Sequence, residues 1–175
     1  MVNNSYKLNS WLGLCVFLIH FSMAAMSEDK FTIEIHSVKP NKDSFEIRCW
    51  LLNISDRELN YLSPFSPLGR ETLSVYFVDE SGAEILVRQG FKPNTGLIHY
   101  SSLKSGSRAE IVINLKDGEW VLMNSLASPS AKRFYVEYNV PQRNDKDEGV
   151  WSGNIVTKQV DSPFQLGEVF EDRIW

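Results

Sequence analysis

The sequence predicts an all-β fold, an antiparallel β-sandwich of immunoglobulin-like type with about seven strands. Three observations carry that expectation: hydrophobicity alternates with a period of two along most of the chain, turn residues recur at short intervals, and no long stretch repeats at the 3.6-residue period of an amphipathic helix. Composition agrees with one ordinary globular domain, at 43% hydrophobic, 23% charged and 12% aromatic over 175 residues. Eighteen basic residues against 22 acidic ones leave a net charge of −4, which argues against a nucleic-acid partner.

The first element is a leader. The run Trp11 to Phe21 (WLGLCVFLIHF) is almost unbroken in apolar character, follows Lys7 and ends in Ser22-Met23-Ala24-Ala25. A short apolar stretch closed by small residues is the pattern of an export signal cut after Ala24 or Ala25. It is too short for a spanning helix, which needs about 20 apolar residues. An uncleaved anchor stays open, because Lys7 is the only charge ahead of the run. A lipoprotein is disfavoured, since Leu14 precedes Cys15 and Cys15 sits mid-run. The division is therefore residues 1–25 as signal peptide and 26–175 as a single domain, with 160–175 as a tail. A domain of about 150 residues buries roughly 70% of its unfolded surface, enough for one core. Without the leader, Cys49 is the only thiol, so no intrachain disulfide holds the fold.

Strands follow from the alternation. Phe31, Ile33 and Ile35 share a face against Thr32, Glu34 and His36; Phe45, Ile47, Cys49 and Leu51 share one against Glu46, Arg48 and Trp50. Further strands are expected over 72–79, 83–88, 108–115, 133–140 and 149–159. Pro40-Asn41, Ser81-Gly82, Pro93-Asn94, Ser105-Gly106 and Asp117-Gly118 mark the turns between them. Residues 120–126 are the most helical stretch, though short enough to be irregular. The tail either adds an edge strand or lies across the sandwich.

Signatures of catalysis are missing. No HExxH pair, Cys/His cluster, GxSxG elbow or glycine-rich phosphate loop occurs, so no cofactor or metal is expected. His36 and His99 read as surface histidines, and Cys49, in register with Phe45, Ile47 and Leu51, reads as an inert core thiol. Asn53-Ile54-Ser55 matches the glycosylation sequon, which matters only in a eukaryotic secretory route.

Recognition by surface is what remains. Residues 62–69 (LSPFSPLG) are apolar and proline-rich, and two prolines lower the entropy lost when a partner holds the loop. Pro64, Phe65, Pro67 and Leu68 are the candidate contacts; the alternative is that Phe65 and Leu68 fold back to plug one end of the sandwich. Trp50 is a fifth candidate, a hot spot if its face is solvated and core if it packs inward. Residues 142–148 read as a solvated hairpin loop.

The order Asn53-Ile54-Ser55-Asp56 with Leu59, Ser66-Pro67-Leu68-Gly69, the strand from Leu73 into Asp79-Glu80-Ser81-Gly82, and Leu103-Lys104-Ser105-Gly106 before Ile111 resembles one known pattern. It is similar to the non-catalytic N-terminal immunoglobulin-like domain of deuterolysin-like and peptidyl-Lys metalloendopeptidases, the aspzincins, over roughly residues 30–140. Ser105 stands where that pattern has proline, and the catalytic zinc domain is absent from this chain. The resemblance implies the fold and no catalytic residue.

The expected function is thus an exported, non-catalytic binding module, not an enzyme, of peptidase-inhibitor or prodomain-like kind, with a protein partner such as a secreted peptidase. The alternative is a structural or assembly protein of the cell envelope acting through a strand edge or its tail. Localisation is expected to be periplasmic or extracellular, with no nucleic acid and no stable membrane span after cleavage.

Overall fold

The computed structural model describes residues 30–41, 44–66, 69–90, 99–116, 119–123, 131–142 and 149–163. The leader, Pro67, Leu68 and the chain beyond residue 163 lie outside them.

Two antiparallel sheets face each other. The first holds β1 (Phe31–Asn41), β2 (Ser44–Asn53) and β7 (Arg108–Lys116) in the order β1-β2-β7. The second runs β10-β9-β4-β5-β8, from β4 (Leu73–Val78), β5 (Glu84–Gln89), β8 (Trp120–Leu122), β9 (Arg133–Val140) and β10 (Gly153–Val156), with β11 (Val160–Asp161) also on β9. β3 (Leu59–Leu62) and β6 (Tyr100–Leu103) pair separately. The chain crosses between sheets after β2, after β5 and after β7, the strand distribution of an immunoglobulin-like Greek key.

Alternation along β2 is the clearest link from sequence to packing. Phe45, Ile47, Cys49 and Leu51 are buried while every residue between them is half-buried on the other side. Register carries that stripe across the sheet: Ile47 lies opposite Ile113 of β7, and Cys49 opposite Ile111. Facing them are Val75 and Phe77 of β4, Val87 of β5 and Phe134, Val136 and Tyr138 of β9, all fully buried. Each such side chain contributes about 1.5–3 kcal/mol by leaving water, so the core stands without a disulfide. Burial pushes the Cys49 thiol up to about 12, which keeps it protonated and inert at neutral pH.

Eleven strands among the described residues include the expected seven. The additional ones, β3, β6, β8 and β11, hold two to four residues each, too few for an alternating pattern to register. β8 also corrects the helical reading of 120–126 over 120–122, with 124–126 outside the described residues: Trp120 and Leu122 pair with Gln89 and Val87 of β5, and Trp120 is buried. The expected strand over 149–159 is cut down to β10. The Trp151 ring packs edge-on against Phe31, 5.2 Å between ring centroids, and the Trp151 backbone N–H donates to the Asn60 carbonyl.

Asn53 is a polar pin in this core. Its buried amide donates to the carbonyls of Arg57 and Leu103 at 2.7 and 2.8 Å, and its side-chain oxygen accepts from the Ser55 N–H at 3.0 Å. With that amide enclosed and in use, the sequon is closed to glycosylation in the folded chain. The same bonds join the Asn53 turn to the turn at Leu103–Gly106, where Ser105 Oγ donates to the Ser55 carbonyl at 2.7 Å. Two segments that carried the sequence resemblance therefore lie against each other.

Candidate functional site

The chain leaves β3 at Leu62 and turns at once. Ser66 N–H and its hydroxyl both donate to the Ser63 carbonyl, at 2.9 and 2.7 Å, which closes a four-residue turn with Pro64 at its second position and Phe65 at its third. The turn is tied down on both sides. Ser63 N–H donates to the His99 carbonyl at 3.1 Å, Gly69 N–H to Ser66 Oγ at 3.0 Å, and Arg70 N–H to the Ser66 carbonyl at 3.1 Å. Gly69 allows this closure, because a side chain there would drive its first carbon to 1.7 Å from the Ser63 carbonyl oxygen.

The two turn residues part company. Pro64 is buried, whereas Phe65 is 56% exposed. Phe65 as a core plug is thereby corrected: the fixed φ of Pro64 and the Ser66 clamp turn the ring outward. Pro67 and Leu68 lie outside the described residues. Beside the turn, Leu62, Glu71, Thr72, Ser74, Arg88 and Asn139 line a polar cavity of about 320 Å³.

Trp50 occupies the outer face of the first sheet, on the side that alternation assigns it, so the inward-packing reading is corrected. It is half-buried all the same. The His36 ring stacks on it at 4.4 Å and 13°, and the Arg108 guanidinium sits 4.3 Å from its ring. A β-bulge explains His36: Ile35 pairs with Cys49 and Ser37 with Arg48, leaving His36 as the extra residue turned toward Trp50. Arg108 pairs two residues further along, opposite Leu52, so the register puts it on the other flank of Trp50.

Charges complete that face. Arg48 Nε donates to Glu46 at 2.6 Å and its Nη1 lies 3.4 Å from Glu110, while His36 Nε2 lies 3.2 Å from the same Glu110 carboxylate. The hydrogen bond to Glu46, then its charge, pushes the Arg48 guanidinium further above its ordinary value. Among the described residues, no group of His, Cys, Asp and Glu is arranged to hold a metal ion.

Trp50 and Phe65 stand on different elements, with no ring contact or hydrogen bond joining them among the described residues. Sequence reasoning missed Arg108 and Glu110 as partners of Trp50. Their parity on β7 was visible; the pairing of β7 with β2, some sixty residues away, was not.

No family model and no curated protein matches the chain. Among solved structures it is similar to a β-glucosidase from Kluyveromyces marxianus in complex with glucose, at 15% identity and a TM-score of 0.35, covering 79% of this chain and 15% of that one. A GH3 β-glucosidase from Bifidobacterium adolescentis aligns at 16% identity and a TM-score of 0.30, over 81% of this chain and 20% of that enzyme. The chain spans no more than 20% of either enzyme's length, and likeness at this level supports no reading of activity.

Proposed function

We propose that this chain is an exported, non-catalytic protein-binding module of the peptidase-inhibitor or prodomain-like kind, with the turn Ser63–Ser66 as its contact and Phe65 as the anchor. The observation that carries this reading is the combination of a 56% exposed Phe65 with a turn held by five hydrogen bonds. An aromatic ring offered on a turn already ordered loses little conformational entropy on binding, which is the economy of an anchor residue. The cavity beside it, with Arg88 and Glu71 on its wall, offers polar groups to the rim of such a contact.

The Cys49 thiol is sealed in the core, and the His36 ring stacks on Trp50 beside Glu110, so neither belongs to the proposed contact. The partner class to test first is a secreted metallo- or serine peptidase. Purified protein mixed with a panel of such peptidases is expected to co-elute with at least one in size exclusion and to slow its turnover. No complex and no inhibition across the panel would sink the reading.

A further inference from the structure

A second feature, remote from the reading above, lies where the edges of the two sheets meet. β1 ends the first sheet and β10 ends the second, and among the described residues no strand pairs with the outer side of either. Between them runs a groove of about 600 Å³, walled by Phe31, Ile33 and Ile35 of β1 and by Ile155, Val156 and Val160 on the other side.

Hydrogen-bond parity fixes what the backbone offers there. Ile54 N–H donates to the Lys30 carbonyl at 3.0 Å, on the same diagonal as the pair Phe31 and Asn53. Antiparallel pairs alternate between bonded and non-bonded, so Thr32 and Glu34 bond to β2, and the N–H and C=O groups of Phe31, Ile33 and Ile35 point away from it. Asn53 is an independent check: its N–H donates to Ser107 on the β7 side, as the partner of an outward-directed Phe31 must. On β10, Thr157 N–H donates to the Val136 carbonyl at 2.9 Å, which commits Gly153 and Ile155 to β9 and leaves Asn154 and Val156 directed outward.

The groove thus joins two rows of outward-directed backbone groups, unpaired among the described residues, to an apolar floor, and Val156 keeps 55% of its surface exposed at its rim. Unpaired edges of this kind are normally blunted or covered, because each is a template for another strand. The cleft is walled from both sheets, so a single extended segment fills it, whereas the flat edge of a second copy pairs with β1 alone and leaves the β10 wall bare. Among the described residues, Lys30 and Lys158 line the same groove against the one carboxylate of Glu34, so the surplus charge they give it is positive.

We propose that this groove is an acceptor for an extended segment of a partner protein, added as a strand to β1, with apolar residues at alternate positions facing the floor and a carboxylate meeting Lys30 and Lys158. Main-chain bonds to Phe31, Ile33 and Ile35 supply the affinity, and the apolar alternation and the acid supply the selectivity. Five residues at about 3.3 Å each match the length of that edge.

The test uses the full chain, isotope-labelled, with an eight-residue peptide of alternating valine and threonine ending in glutamate as the probe. Saturable binding is expected, with amide exchange at Phe31, Ile33 and Ile35 slowed at least tenfold and that at Thr32 and Glu34 unchanged. Replacing the central valine of the peptide by proline, or introducing Val156→Glu into the protein, is expected to weaken binding at least tenfold. Val156 is exposed, so the thermal midpoint of that variant stays put. Ending the peptide in lysine should cost about threefold or more, and Phe65→Ser should change none of these readings. Unslowed exchange at the three amides, equal binding of the proline peptide, or a peptide-free dimer in sedimentation that protects the same amides would each overturn the proposal.

Discussion

Trp50 and Phe65 are two large aromatic residues that the sequence offers as candidate contacts, each with a buried alternative, and their fates differ. Trp50 belongs to a regular strand, and its neighbours across β1 and β7 close over it: His36 stacks on the ring, Arg108 sits against it, and both Glu46 and Glu110 hold Arg48 beside it. Phe65 belongs to a turn, where among the described residues no strand covers it, and buried Pro64 and Ser66 on either side keep its ring out. An aromatic on a sheet face brings its own cover; an aromatic on a clamped turn stays available. The proposed contact is therefore the turn, and the sheet face is read as structure.

Four substitutions break or sharpen that contrast. Phe65→Ser is expected to have the largest effect, weakening the complex by about 2 kcal/mol or more, roughly thirtyfold, as for a hot-spot aromatic. Its thermal midpoint should stay unchanged, because the ring packs on little of the fold; titration and a melting curve on one preparation read both. Trp50→Ala should do the reverse, costing about 1–2 kcal/mol in denaturant unfolding through lost stacking and cation–π contact while leaving the affinity within twofold. Ser66→Ala removes the hydroxyl that bridges Ser63 and Gly69. It is expected to cost about 1 kcal/mol of stability and to weaken binding several-fold by loosening the turn under Phe65. Smallest is Glu110→Gln, which keeps an acceptor oxygen but removes the negative charge facing Arg48 and His36. Partly exposed pairs of this kind contribute about 0.2–1 kcal/mol, measurable by chemical denaturation and invisible in binding.

How much of this was legible beforehand depends on which interactions are local. The inner stripe of β2 was readable residue by residue, because period-two alternation is written into Phe45, Ile47, Cys49 and Leu51, and Trp50 was assigned to the correct side by the same rule. The bulge at His36 was not, since a one-residue slip between β1 and β2 leaves no mark in either strand's own pattern. β3, β6 and β8 were invisible because they are too short to alternate, and Trp120 was misread since its partner β5 lies some thirty residues back. At the turn, the apolar and proline-rich character of 62–69 was visible. That Pro64 goes in and Phe65 out depends on the Ser66 clamp and on the close approach of Gly69 to Ser63, and both are tertiary facts.

The most direct test of the central claim is photo-cross-linking from each aromatic position in turn. A benzoylphenylalanine placed at residue 65, and separately at residue 50, is irradiated with each member of the peptidase panel. A covalent adduct is expected from position 65 with a peptidase that co-elutes, and none from position 50. An adduct from position 50 with position 65 silent would contradict that claim.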